Sequence, residues 1–478
     1  MEIIIGILRD YLIVINIFLA AIVIFFERKR PVYTLFWITI LLLTSYFGFI
    51  MYLFFGMSFK KKNKLKRFYS RKFLKHTKFL ITSNYIHLLR WKELIHYLEV
   101  VSNSKITFNN EIKIFNTGED FFKDMTTNLL AAENEIKMEY FIFNDDELGS
   151  HFYNILTRKA AEGIKISLIV DGAGTRDLSK RRIKDLKTAG VDIGIFFPSY
   201  FPFLKIGNLR ANYRDHRKLC IIDQKICYTG GLNIGDEYVG KGKLGSWRDT
   251  GLKVEGECVL EFEKEFMVSW NFVKNKLPTN RIDDLDAPKF PIKHEDSLVP
   301  IQVVSSGPNY EFRTIRDSIL KMIIEAKKYI YIQTPYFIPD DTILDALKIA
   351  ILSGVDVRVM IPSIPDHLFV YWANQSFYGE IINLGAKIYK YQDGFLHSKG
   401  VIVDDEIAAV GTANFDYRSF YQNFEINIMI YGIEVKKFKD RFYRDSNCSI
   451  LISKDEYKNR GNVQKIKESI CRLVAPIL

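Results

Sequence analysis

The chain is 478 residues long, 48% hydrophobic with 37 Phe and 26 Tyr, and carries a formal charge of +11. That length supports two or three domains with cores of their own. From Lys60 to Lys105 thirteen basic residues face only Glu93 and Glu99, an excess equal to the whole formal charge. The rest is near neutral, which argues against an electrostatic nucleic-acid track. The five cysteines are odd in number and scattered, which fits a reduced compartment and suggests neither a disulfide framework nor a zinc site.

In chain order, Ile3 to Phe26 is apolar apart from Arg9, Asp10 and Asn16. A helix of that length rises about 36 Å, enough for a hydrocarbon core of about 30 Å. It lacks the basic start and small-residue cleavage site of a signal peptide. Val32 to Phe59 is a second, cleaner apolar run, so residues 1–59 are expected to form a two-helix membrane hairpin. The basic run after Phe59 argues that the chain continues on the cytoplasmic side. The basic connection Glu27-Arg28-Lys29-Arg30-Pro31 pulls more weakly the other way, and a shallow hairpin satisfies both. Residues 60–110 read as a basic juxtamembrane linker along anionic headgroups, each Lys or Arg there worth about 1 kcal/mol.

From Glu111 the chain is a repeat, with halves at 111–276 and 301–478 joined by the proline-rich, acidic linker 277–300. Ile136–Phe143 and Ile330–Phe337 are paired first strands, and Ile164–Val170 and Val355–Ile361 paired second strands. Each is followed by a helical stretch, giving βα layers around a mixed sheet. The first half alone carries an insertion, Pro198 to Tyr213, read as a surface loop, with an acyl-chain entrance as the alternative. Asp171-Gly172-Ala173-Gly174-Thr175 lacks the full Rossmann and Walker patterns and reads as a turn.

The repeat carries one frame twice: His, one residue, Lys, four residues, Asp, six residues, Gly, two residues, Asn. It runs His216, Lys218, Asp223, Gly230, Asn233, and again His397, Lys399, Asp404, Gly411, Asn414. The residues between Lys and Asp are mostly apolar and β-branched, as in a buried strand. Side chains two apart on a strand share a face, so each His and its Lys point into one space; Asp223 and Asp404 are grouped with them as catalytic candidates, although their opposite parity suits a support. Asp249 and Glu425 each stand seven residues before a Gly, heading a strand after a His frame. Each is a candidate to accept an imidazole N–H and fix its tautomer, with a solvent-facing strand end as the alternative.

This frame resembles the phospholipase D superfamily. Gly230–Tyr238, Trp247-Arg248-Asp249-Thr250, Gln333–Asp340 and Gly411–Ser419 narrow the likeness to bacterial cardiolipin synthases over nearly the whole chain. The resemblance implies an α/β fold: two phospholipase D-like βα-sandwich halves about a pseudo-two-fold axis, their frames forming a single site. It also implies a metal-independent phosphatidyl transfer from one phosphatidylglycerol to another, releasing glycerol, at a bacterial cell membrane among anionic lipids, without nucleic acid. No metal-ligand spacing occurs, and exchange of one phosphodiester for another needs no ATP or CTP. On this reading Lys218 and Lys399 supply charge, and Asn233 and Asn414 donate to phosphate oxygens. One neutral imidazole attacks phosphorus while the other, protonated, serves the leaving alcohol. The resemblance implies His216 as nucleophile and His397 as acid; symmetry leaves the reverse open. Another phosphatidyltransferase, a hydrolytic phospholipase D, a nuclease and a decayed scaffold are the rival readings.

Overall fold

The computed structural model describes residues 88–175, 178–197, 213–274 and 298–475, with 31–43 and single positions between 11 and 52. Near the N-terminus, helix α1 (Pro31–Leu43) buries Trp37 and Leu41. Trp37 meets the buried Tyr52 edge to face, ring centroids 5.5 Å apart. Among the described residues no helix is long and apolar enough to cross a membrane. The remainder of the expected hairpin lies outside the described residues, as do 60–87, 198–212 and 275–297.

The reading of 60–110 as a linker is corrected from residue 88 onward. Helix α2 (Lys92–Ser102) turns Leu94, Ile95 and Leu98 inward at helical spacing. With Leu88 and Trp91 they join the core of the second half, beside Ile319, Met322 and Ile323. Gln302 fastens the segment by donating to the carbonyls of Ile95 (3.1 Å) and Ser104 (2.7 Å). Strand β1 (Ile106–Thr107) then pairs with residues 301–302. The density of Lys and Arg upstream hides this short apolar periodicity.

The first half runs β2 (Asn110–Phe115), α3 (Gly118–Leu130), β3 (Glu135–Tyr140), α4 (Glu147–Ala161), β4 (Lys165–Asp171), α5 (Lys180–Thr188), β5 (Asp192–Phe196), β6 (Lys218–Ile222), β7 (Ile226–Gly230), β8 (Trp247–Arg248), β9 (Gly251–Gly256) and α6 (Cys258–Val273). The second half runs β10 (Ile301–Ser306), α7 (Thr314–Glu325), β11 (Tyr329–Gln333), β12 (Phe337–Ile338), α8 (Asp341–Leu352), β13 (Asp356–Pro362), α9 (Leu368–Ile382), β14 (Lys387–Tyr391), β15 (Phe395–Leu396), β16 (Gly400–Val403), β17 (Ile407–Gly411), β18 (Phe415–Asp416), α10 (Tyr417–Tyr421), β19 (Glu425–Tyr431), α11 (Val435–Asn447), β20 (Ser449–Ile452), α12 (Lys454–Lys458) and α13 (Asn462–Val474).

The seven-stranded sheet has the order β2-β9-β7-β6-β3-β4-β5. The nine-stranded sheet repeats it as β10-β19-β17-β16-β11-β13-β14, with β1 and β20 added at its edges. In each, three parallel strands with crossover helices continue into antiparallel pairs. The central strands are buried end to end, which is why they read as continuous apolar runs rather than alternating ones.

Asp223 and Asp404 lie at the far end of the His-bearing strands from the histidines. Both sit in the left-handed region, at φ 50° and 56°. Asp223 accepts the main-chain N–H groups of Glu133, Asn134 and Glu135 at 2.7–2.8 Å. Asp404 accepts those of Lys327, Lys328 and Tyr329 over the same distances, and pairs with Arg90 at 2.7 Å. Their grouping with the catalytic residues is therefore corrected: each carboxylate ties its hairpin turn to the start of the neighbouring first strand.

Burial works against ionisation of Asp404, but the N–H groups of Tyr329 and Lys327 and the Arg90 guanidinium hold its carboxyl below the usual range. A depressed carboxyl stabilises the fold above the unfolded value of about 3.9 and loses that contribution as the pH falls through the folded value. Asp404→Ala is thus expected to cost about 2–3 kcal/mol at neutral pH. The difference from the parent should close in acid, and activity per folded molecule should be retained. Thermal melts across pH, with activity normalised to folded protein, check this.

Candidate active site

The two halves are joined at the two His frames by main-chain hydrogen bonds that cross between them. The His216 N–H donates to the Phe424 carbonyl at 2.9 Å, and the Phe424 N–H to the Arg214 carbonyl at 2.8 Å. In the second frame, β15 pairs in parallel with β8, and the His397 N–H donates to the Arg248 carbonyl at 2.8 Å. Phe424 immediately precedes Glu425, and Arg248 immediately precedes Asp249. Each histidine is therefore laid beside the acid of the other half.

The side chains follow. His216 Nδ1 lies 3.0 Å from both Glu425 oxygens, and His397 Nδ1 lies 2.6 Å from Asp249 Oδ2. An ionised carboxylate only accepts, so Nδ1 carries the proton and Nε2 keeps its lone pair. Both acids are buried, unlike strand ends in solvent, and both are held. Glu425 accepts from Thr412 Oγ1 (2.6 Å) and Asn423 Nδ2 (3.2 Å), and Asp249 from the Thr250 N–H (2.7 Å).

The frame glycines have a matching steric reason. A Cβ on Gly230 would lie 2.3 Å from the Thr250 carbonyl oxygen, and one on Gly411 would lie 2.3 Å from that of Ile426. Each glycine lets the strand that carries an orienting acid pass at close range.

Lys218 and Lys399 share the side of their histidines, and each ammonium is anchored on the carbonyl of its own His, at 2.7 Å for Lys218. Lys399 Nζ also stands 2.9 Å from His397 Nδ1. Both lysines are almost fully buried. Asn233 accepts from the Ile142 N–H (3.1 Å) and donates to the Tyr238 hydroxyl (2.7 Å). His216, His397, Asn233 and Asn414 line one cavity of about 420 Å³, walled by Phe141, Tyr238, Trp247 and Tyr336. Phe141 packs against the His216 ring, centroids 5.1 Å apart, and Trp247 against His397 at 5.0 Å.

Burial drives both imidazoles down: His216 below its ordinary value, with Lys218 adding to the effect against the pull of Glu425, and His397 to about 3, with Lys399 adding most. Burial likewise lowers Lys218 to about 7 and Lys399 to about 8, with the carboxylates resisting. Burial opposes ionisation of Asp249 and Glu425, yet Lys399 with His397, and His216 with Lys218, hold them below the usual carboxylate range. At neutral pH the cavity thus holds neutral rings over ionised acids.

Of the sequence candidates, the histidines, lysines, asparagines and Asp249 and Glu425 come together, while Asp223 and Asp404 do not. Sequence reasoning missed the cavity's charged rim of Arg214, Asp366, Asp416 and Arg418. It also missed Arg217, buried between Glu139 (3.1 Å) and Asp215 (2.9 Å). The only local signal for Arg418 is its place in Asn414-Phe415-Asp416-Tyr417-Arg418.

Two such halves closed on one cavity define a phospholipase D-type architecture. The family model described as "Cardiolipin synthase, PLD-like domain" matches residues 125–270 and 319–446. That described as "Phospholipase_D-nuclease N-terminal" matches residues 14–56. The cardiolipin synthase of Listeria innocua is 42% identical over 485 residues, 98% of each chain. The major cardiolipin synthase ClsA of Bacillus subtilis is 40% identical over 486 residues, 99% of each chain. The crystal structure of phosphatidylserine synthase from Haemophilus influenzae shares the fold at a TM-score of 0.61 and 14% identity, covering 81% of this chain and 99% of that one. The chain belongs to the cardiolipin synthase family of the phospholipase D superfamily.

The crossed pairing predicts that Glu425→Gln alters the ring ¹⁵N shifts of His216 and leaves those of His397, with Asp249→Asn doing the reverse; an uncrossed response would overturn it. The lowered lysines predict proton uptake with anion binding. A bound anion raises both toward their ordinary value, so above the folded values of about 7 and 8 binding must bring protons in and weaken as pH rises. Titrating tungstate at pH 8.5 in buffers of different ionisation enthalpy measures this, and Lys218→Met should reduce the uptake.

Proposed function

We propose that this chain makes cardiolipin, transferring the phosphatidyl group of one phosphatidylglycerol to the hydroxyl of a second and releasing glycerol. The observation that carries the reading is one aromatic-walled cavity holding two imidazoles, each with its Nδ1 on a buried carboxylate. Relatives named as cardiolipin synthases align over the full length at 40–42% identity, and that supports the choice of substrate.

A phosphodiester between the rings brings a negative charge, which Lys218 and Lys399 balance and Asn233 and Asn414 border. His216 Nε2 attacks phosphorus as the bond to the glycerol oxygen breaks, and His397 gives that oxygen its proton. The second phosphatidylglycerol then loses its hydroxyl proton to His397 as its oxygen displaces His216 from phosphorus. Geometry favours these roles. The ammonium 2.9 Å from His397 Nδ1 makes that ring the weaker base, and His216, held by both Glu425 oxygens, the better nucleophile. The phosphodiester charge favours protonation of His397 for its turn as acid. Aromatic walls disfavour water as the acceptor.

The substrate is a membrane lipid, and we assign the chain to the bacterial cell membrane. The two apolar runs between Ile3 and Phe59 act as a multi-pass hairpin, and the basic stretch that follows keeps the catalytic body on the cytoplasmic face. The N-terminal family match at residues 14–56 supports an attached segment there.

Purified protein given phosphatidylglycerol alone is expected to yield cardiolipin and glycerol in equal amounts; phosphatidate as sole product would make it a hydrolase. His216→Ala should abolish turnover and the recovery of a base-stable, acid-labile phosphopeptide. His397→Ala should lose about 10²–10⁴-fold with phosphatidylglycerol, yet still release p-nitrophenol from phosphatidyl-p-nitrophenol, whose leaving group needs no acid. The opposite pattern would exchange the two roles.

A further inference from the structure

Helices α9 and α13 lie side by side. Gln464 donates to Gln375 at 2.8 Å, and the Lys467 ammonium sits 5.1 Å from the Trp372 ring centre. Helix α13 turns Glu468 and Cys471 inward, 2% and 4% exposed. Its opposite face carries Val463, Ile466, Ile470 and Leu473, exposed by 68%, 59%, 56% and 78%. The spacing of three, four and three residues makes one continuous stripe along a helix. Leu368 and Phe369, at the start of α9, are exposed by 64% and 61%. A concentration of large apolar side chains in water marks a surface that is covered in use.

Position and charge identify what covers it. His367 and Val370, which flank Leu368 and Phe369, line the catalytic cavity, as does Ala475, the residue after α13. The apolar residues therefore border the cavity into which the substrate must pass. Helix α13 also carries Lys465 and Lys467, together with Arg472, which is paired with Glu380 on α9. Its one acid, Glu468, is buried against Arg460 at 2.8 Å. A second copy would bring the same cations against themselves. An anionic lipid surface meets both the stripe and the charge, as interfacial helices do.

We propose that α13 and the start of α9 form an interfacial surface that lies on an anionic lipid bilayer and seats the mouth of the catalytic cavity on it. This rests on the reading of the substrate as a membrane lipid. It adds a second contact, separate from the N-terminal segment, that orients the cavity rather than merely tethering the chain.

The test uses the full chain in a Cys448→Ser background, since Cys448 is exposed. Ile470→Cys and, as a control on exposed α5, Lys184→Cys carry a bimane label. On reconstitution into phosphatidylglycerol-containing vesicles, the label at 470 should shift to the blue and be quenched by nitroxide lipids, and that at 184 should not. An unquenched label at 470 overturns the proposal; so does a blue shift that follows protein concentration without lipid, which would assign the face to a second copy. In parallel, Ile466→Ser/Ile470→Ser/Leu473→Ser should lose about ten-fold in cardiolipin formation on vesicles. It should keep the parent rate on short-chain phosphatidylglycerol below its micelle concentration. Equal loss on both substrates overturns the proposal. Should the parent form no cardiolipin on either, the assigned reaction fails, while the quenching still reports bilayer contact.

Discussion

The main-chain hydrogen bonds from His216 to Phe424 and from His397 to Arg248 place both histidines and both buried acids at once. Each bond ends on the carbonyl just before an acid, so the strand that fixes one half's histidine delivers the carboxylate that sets its tautomer. Neither half by itself holds a complete histidine–carboxylate pair. A site assembled this way tolerates little slippage, because a shift of one residue at the crossing would turn the acid to the opposite face of its strand. The close approach of Gly230 to Thr250 and of Gly411 to Ile426 is the steric counterpart of that register.

Around this crossing, the fold holds buried charge rigid. The conserved strand order of the two sheets brings β6 and β16 to equivalent central positions, and Asp223 and Asp404 lock their far ends. With the strands held at one end by carboxylate and at the other by the cross-half ladder, Lys218 and Lys399 have little freedom. Their anchorage on the histidine carbonyls keeps each ammonium beside its own histidine.

Much of this was legible because the chain states it twice. A single His-x-Lys is uninformative, but two frames with the same trailing Gly and Asn predicted one shared site, and the periodic strands predicted the repeated sheet. The acids Asp249 and Glu425 could be picked out from their common register. Their exchange between halves could not, because register along one strand says nothing about which strand lies across from it. Asp223 and Asp404 were misgrouped for a related reason: spacing places a residue on a strand but not at the chemical end of it. Helix α2 was lost under a composition argument, its three buried apolar residues outweighed by the surrounding lysines. Arg217, the variable residue of its frame, gave no signal, since only the structure brings Glu139 to it.

Charge balance in the cavity sets what a phosphodiester changes there. Two lysines face two carboxylates, Asp249 and Glu425, all buried, so a cavity with neutral rings is close to electroneutral when both lysines are protonated. A phosphodiester adds one negative charge to a space that solvates charge poorly. One proton on an imidazole restores the balance, and one imidazolium is what the departing glycerol oxygen requires. Two imidazolium rings would leave no nucleophile, and none would leave no acid. Burial drives both rings toward neutrality, so the charge of a phosphodiester between them is what favours protonating one.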